Sequence, residues 1–135
     1  MQTLRFILMA VFAAGLFCSC DAQSTNSSMN SETVAQEVVR AYYFHYTRRC
    51  PTCIAVEDEA KKAVEELYGE DSSFESYNLD EDKGKKMAEK LDVESQALLI
   101  MKGEKKKDLT SDGFMYAKTK PEKLKEQIKK AVDDM

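Results

Sequence analysis

Several residue types are scarce in this chain, and each shortage excludes something. None of the 135 residues is Trp, one is His, two are Pro and five are Gly. No glycine-rich loop of the kind that cradles phosphate is present, which removes the usual nucleotide-binding fingerprints. No internal repeat is seen. Basic charge is not in excess, since the net charge is −4, and that argues against nucleic acid as a partner. The apolar stretch Phe6–Phe17 is 12 residues long, too short to span a bilayer comfortably.

That stretch, with Arg5 before it, has the make-up of a signal-peptide core, and residues 1–20 are assigned to it. The next residues, Ser19-Cys20-Asp21-Ala22, offer two routes of processing. In one, the segment resembles a bacterial lipoprotein signal, with Cys20 the lipidated first residue. Phe17 and Cys18 depart from the usual branched and small residues at those places. In the other, an ordinary peptidase cuts after Ala22. Either route exports the protein, and the lipid would hold it on the periplasmic side of a bacterial membrane. Residues 21–32 are Ser- and Asn-rich from Gln23 onward and read as a flexible tether. The folded domain is expected over 33–135. Of the 20 basic residues only Arg5 leaves with the leader, so 19 remain against 24 acidic ones, a net of −5. The cluster Lys105-Lys106-Lys107 is read as a solvated edge.

Export also changes the cysteine arithmetic. Cys18 and Cys20 go to the leader or to lipid, and Cys50 and Cys53 remain in the domain. Two cysteines and one histidine cannot close a four-ligand structural zinc site. In an oxidising compartment the pair is expected to cycle through a disulfide. Its setting gives it chemistry. The strand-like run from Val38 to Tyr46 leads through Thr47-Arg48-Arg49 to Cys50-Pro51-Thr52-Cys53, and an amphipathic helix begins at once. Unpaired N–H groups and the dipole at a helix start favour a thiolate, the form that attacks disulfides and grips soft metals. Arg48 and Arg49 add positive charge beside Cys50.

The pattern of the remaining chain supplies the frame. Val56, Ala60, Val64 and Leu67 form one apolar stripe, with Gly69 ending the helix. Phe74–Leu79 reads as a second strand, and Asp80 or Asp82 can cap a helix that buries Met87, Ala88 and Leu91. Ala97–Met101 is apolar throughout, as in a strand covered on both faces. A turn over Lys102–Glu104 leads to a polar edge strand, Lys105–Leu109. Thr119-Lys120-Pro121-Glu122 has capping-box spacing and opens a helix that buries Leu124, Ile128, Ala131 and Val132. The expected order is β-α-β-α-β-β-α, a three-layer α/β/α domain on a mixed sheet.

That order, with the CxxC between first strand and first helix, resembles the thioredoxin fold over roughly residues 33–134. Tyr77-Asn78-Leu79-Asp80 and Leu91-Asp92-Val93 are similar to the exit of the second strand and the approach to the third. The resemblance implies that Cys50 is the exposed nucleophile and Cys53 the resolving cysteine, and that no organic cofactor is needed beyond the disulfide. Four features depart from the family. Arg49 stands where a Trp is usual. The buried acid that relays a proton is replaced by Phe44, with His45 beside it as the candidate relay. The proline before the third strand is missing, and Gln96 and Ala97 occupy its place in a trans loop. The extra opening strand and helix shrink to Ser31–Glu37.

The expected function is an exported, membrane-tethered thiol–disulfide oxidoreductase. Its active-site loop would comprise Arg48, Arg49, Pro51, Thr52, Gln96 and Ala97, and its partner would be a dedicated client or redox protein met by a monomer. Phe114, Met115 and Tyr116 either form an apolar rim for that client or cover the end of the sheet. Two other readings stay open. The dithiol could hold a soft ion such as Cu(I) or an arsenical, or the CxxC disulfide could simply staple the helix start.

Overall fold

The computed structural model describes residues 37–135. The signal segment 1–20 with Cys20, the tether 21–32 and most of the Ser31–Glu37 lead-in lie outside the described residues. The elements run β1 (Val39–His45), α1 (Pro51–Tyr68), a 3₁₀ turn (Gly69–Asp71), β2 (Ser72–Asn78), α2 (Asp82–Leu91), β3 (Ala97–Lys102), β4 (Lys105–Asp108), α3 (Thr110–Tyr116) and α4 (Pro121–Asp133). The sheet order is β2-β1-β3-β4. β1 and β2 are parallel, β1 and β3 antiparallel, and β3 and β4 form an antiparallel hairpin, so the sheet is mixed.

Strand alternation divides the apolar residues between two faces. Ala41, Tyr43, Leu98 and Ile100 face one way and pack with Val56, Ala60 and Val64 of α1 and with Leu124 and Ile128 of α4. Tyr42, Phe44, Ala97 and Leu99 face the other way and pack with Tyr77, Leu79 and Ala88. The unbroken apolar run of β3 follows from this, because both of its faces are covered. Leu98, Ile100, Leu124 and Ile128 are wholly buried, each worth about 1.5–3 kcal/mol over exposure. They hold α4 to the centre of the sheet. β4, in contrast, is exposed along its whole length, with lysines that discourage edge-to-edge pairing. Among the described residues no helix is long and apolar enough to cross a membrane.

Three local expectations are corrected. The segment after β4 is a helix, α3, which the expected order β-α-β-α-β-β-α lacks. Asp108 accepts the Thr110 backbone N–H at 2.8 Å and so starts the helix, while Gly113 lets it lie against α1. A Cβ at Gly113 would stand 3.1 Å from Val56 Cγ1 and 3.3 Å from Leu98 Cδ2. Second, neither Asp80 nor Asp82 caps α2; its N-cap is Glu81, with no side-chain bond. Third, the capping box before α4 does not form. The N-cap is Lys120 without a side-chain bond, and Thr119 instead donates its hydroxyl to the Met115 carbonyl. Thr119 is used to finish α3, which leaves it unable to begin α4. Pro121 does occupy the first turn, as the missing N–H allows.

The approach of α2 to the end of β2 depends on Gly84. A Cβ there would sit 1.8 Å from the Asn78 carbonyl oxygen, a contact that only backbone movement can relieve. Gly84→Ala is therefore expected to destabilise the domain by about 1–3 kcal/mol, despite the better helix propensity of Ala. Urea denaturation measures this, and an unchanged midpoint would contradict the close approach.

Candidate active site

The loop between β1 and α1 is held from below by β2. The Leu79 N–H reaches the His45 carbonyl at 2.7 Å. Asp80 accepts the Thr47 N–H at 2.7 Å, and Asn78 donates to the Thr47 hydroxyl at 2.9 Å. The clamp explains what Asp80 does in place of capping α2. It also delivers the chain to α1 with Cys50 as the N-cap, in an extended conformation at φ −84° and ψ 161°. The Cys50 Sγ accepts the backbone N–H of Cys53 at 3.2 Å, so a sulfur stands where a Ser or Asp oxygen usually caps a helix. Cys50 and Cys53 are joined by a disulfide, their Cα atoms 5.1 Å apart. Cys50 is exposed, whereas Cys53 retains only 7% exposure.

Beneath the disulfide the first turn of α1 is tied to the sheet through the Cys53 carbonyl. The Tyr43 hydroxyl donates to it at 3.0 Å and accepts the Gln96 side-chain amide at 2.7 Å. Arg49 Nη2 lies 3.5 Å from the same carbonyl. The Arg49 guanidinium also sits over the Tyr43 ring, 5.8 Å from its centroid, and forms an ion pair with Glu57, one turn beyond Cys53 on α1. Burial pushes the Tyr43 hydroxyl pKa up, against the Gln96 hydrogen bond and the Arg49 charge. Burial also lifts the Glu57 carboxyl. Hydrogen bonds from Ser76 and Arg49, with the Arg49 and His45 charges, outweigh that lift and hold Glu57 below the usual range.

The other residues singled out in the sequence are distributed unevenly. Pro51 and Arg48 are exposed and Thr52 is half-buried. Gln96 reaches the site through Tyr43, while Ala97 faces the opposite side of the sheet with Tyr42 and Phe44. No cis peptide bond occurs among the described residues, so the 93–97 loop is trans. His45 stacks on Tyr43 with centroids 5.9 Å apart, and its Nδ1 lies 2.9 Å from the Tyr46 carbonyl. Among the described residues no hydrogen bond joins it to either sulfur. Of the possible rim, Phe114 and Tyr116 pack on the core, leaving Met115 exposed at 60%. No cluster of three His, Cys, Asp or Glu side chains suited to a metal occurs among the described residues.

Tyr43, Glu57, Ser76 and Asp80 were not read from the sequence as site residues. Two of them had an available signal. Glu57 follows Cys53 by four residues, the spacing that puts side chains on one helix face. Tyr43 precedes His45 by two, on the same face of a strand.

No known family model matches this chain, and no curated protein does. A solved structure described as "Structure of a malarial protein" is similar at 23% identity, covering 62% of this chain and 97% of its own, with a TM-score of 0.43. That likeness is too slight to carry fold or function across.

The clamp predicts a pH effect. The Thr47 backbone and side-chain hydrogen bonds hold the Asp80 carboxyl below its ordinary pKa. A pKa lowered on folding contributes stability above the unfolded value, near 3.9, and loses it as pH falls through the folded one. Asp80→Asn should therefore be less stable than wild type at pH 7, with the gap closing as pH drops below about 4. Thermal unfolding between pH 7 and pH 2.5 tests this, and a constant gap would contradict it.

Proposed function

We propose that this chain is a thiol–disulfide oxidoreductase of the thioredoxin-like class, exported and tethered to the membrane through Cys20. The observation that carries the reading is the asymmetry of the disulfide. Cys50 is solvent-exposed at the N-cap of α1, and Cys53 is buried one turn further in. The small mixed α/β fold with its CxxC disulfide is compatible with that class.

The exchange proceeds in two displacements. In the reduced protein the Cys50 thiolate attacks one sulfur of a client disulfide, forming a mixed disulfide and releasing the other client sulfur as a thiolate. Cys53 then loses its proton to solvent and attacks the Cys50 sulfur. This closes the protein disulfide and expels the second client sulfur. Two electrons pass to the client, and the reverse sequence oxidises a client dithiol. The Cys53 N–H bond to Cys50 Sγ and the helix dipole favour the attacking thiolate. With Gln96 in the loop that holds substrate peptide in the family, a dedicated partner protein suits the site better than a broad set of clients.

Insulin reduction with dithiothreitol as electron source tests the reading. Cys50→Ser should abolish turnover above the uncatalysed rate. Cys53→Ser should trap a mixed disulfide, visible as a band that reductant removes. A wild-type protein with no turnover and no trapped adduct would sink the assignment.

A further inference from the structure

The contacts of Arg49 are incomplete. Its Nη2 serves the Cys53 carbonyl and the Glu57 carboxylate, and its flat face lies on Tyr43. Its Nε is buried without a hydrogen-bond partner among the described residues. A buried charged donor left unpaired costs stability, and such gaps in a functional site call for an explanation. The guanidinium lies on Tyr43 of β1 and pairs with Glu57 of α1, and Glu57 in turn accepts a hydrogen bond from Ser76 of β2 and feels the charge of His45. Glu57 is the carboxylate paired with it, and opening the disulfide can add a second anion to the site.

We infer that Arg49 is the counter-ion of the thiolate formed on reduction, and that Glu57 is a positioning residue that holds it in reserve while the disulfide is closed. The inference rests on the redox reading of Cys50 and Cys53 and specifies how their equilibrium is set. When a dithiol reductant opens the disulfide, two electrons enter the protein and the reductant becomes a cyclic disulfide. Its two thiol protons pass to the protein sulfurs or to water. The negative charge that Arg49 would meet is a thiolate on one of the two protein sulfurs. That anion competes with Glu57 for the guanidinium and supplies the acceptor that Nε lacks in the oxidised protein. Arg49 therefore stabilises the dithiol form, and Glu57 limits how far.

The experiment is a redox titration of the full domain in dithiothreitol buffers, read by thiol alkylation on wild type, Arg49→Gln, Arg49→Lys, Glu57→Gln and the double variant. An opposite charge a few ångströms away moves a thiol by about one pKa unit or more, which sets the scale. Arg49→Gln should shift the equilibrium about tenfold toward the disulfide, and Arg49→Lys, which keeps the charge without the fork, should recover part of that shift. Glu57→Gln should shift it roughly threefold or more toward the dithiol, and this effect should largely vanish when Arg49 is already Gln. A loss of fold alone would move Tm without these opposite shifts, so Tm is measured on each variant. Equal effects of Glu57→Gln in both backgrounds would overturn the inference, since Glu57 would then act on the sulfur directly. Variants that leave the equilibrium unmoved overturn it too, with the redox reading intact. A wild-type disulfide that dithiothreitol cannot open overturns both.

Discussion

One hydrogen bond organises this site, from the Cys53 backbone N–H to the Cys50 sulfur. It satisfies one of the donors that every helix start leaves unpaired and gives the capping role of α1 to a cysteine. The capping atom and the exposed sulfur are the same atom. Strand β1, the 46–49 loop and the Asp80–Asn78 clamp all serve to bring Cys50 to the N-cap in an extended conformation. Moving the chain by one residue would lose both the cap and the reach to Cys53.

The layers around the sheet divide the labour. α1 and α4 bury one face and fix the floor of the site through Tyr43. α2 buries the other face and takes no part in the contacts around the sulfurs. Its close approach at Gly84 positions Asn78, and Asn78 in turn braces Thr47. Packing on the far face thus reaches the loop before Cys50 through two side-chain hydrogen bonds rather than through the core.

Much of this frame was legible in the chain. The β1 run, the stripe of α1 with its Gly69 end, the doubly covered β3 and the buried face of α4 each carry a period or an apolar run that physics reads directly. Cys50 as a helix cap was equally plain, because Pro51 and the apolar stripe fix where α1 begins. Short elements and polar partners were harder. α3 is seven residues with a glycine in its middle, and nothing in its local propensity favours a helix; contact with Val56 and Leu98 decides it. Asp80 and Thr119 look like caps by spacing, yet tertiary partners claim them first. Glu57 was hidden among the acidic residues of an exposed-looking helix face. Only the return of Arg49 over Tyr43 distinguishes it from its neighbours.

The anchoring of the Cys53 carbonyl has a mechanical consequence. Tyr43 grips the peptide backbone beneath the sulfurs and not the sulfurs themselves. Neither partner of that hydrogen bond, the Tyr43 hydroxyl or the Cys53 carbonyl, belongs to the bond between Cys50 and Cys53. The hydrogen bond to the sheet and the covalent link between the sulfurs are separate fastenings of the same helical turn.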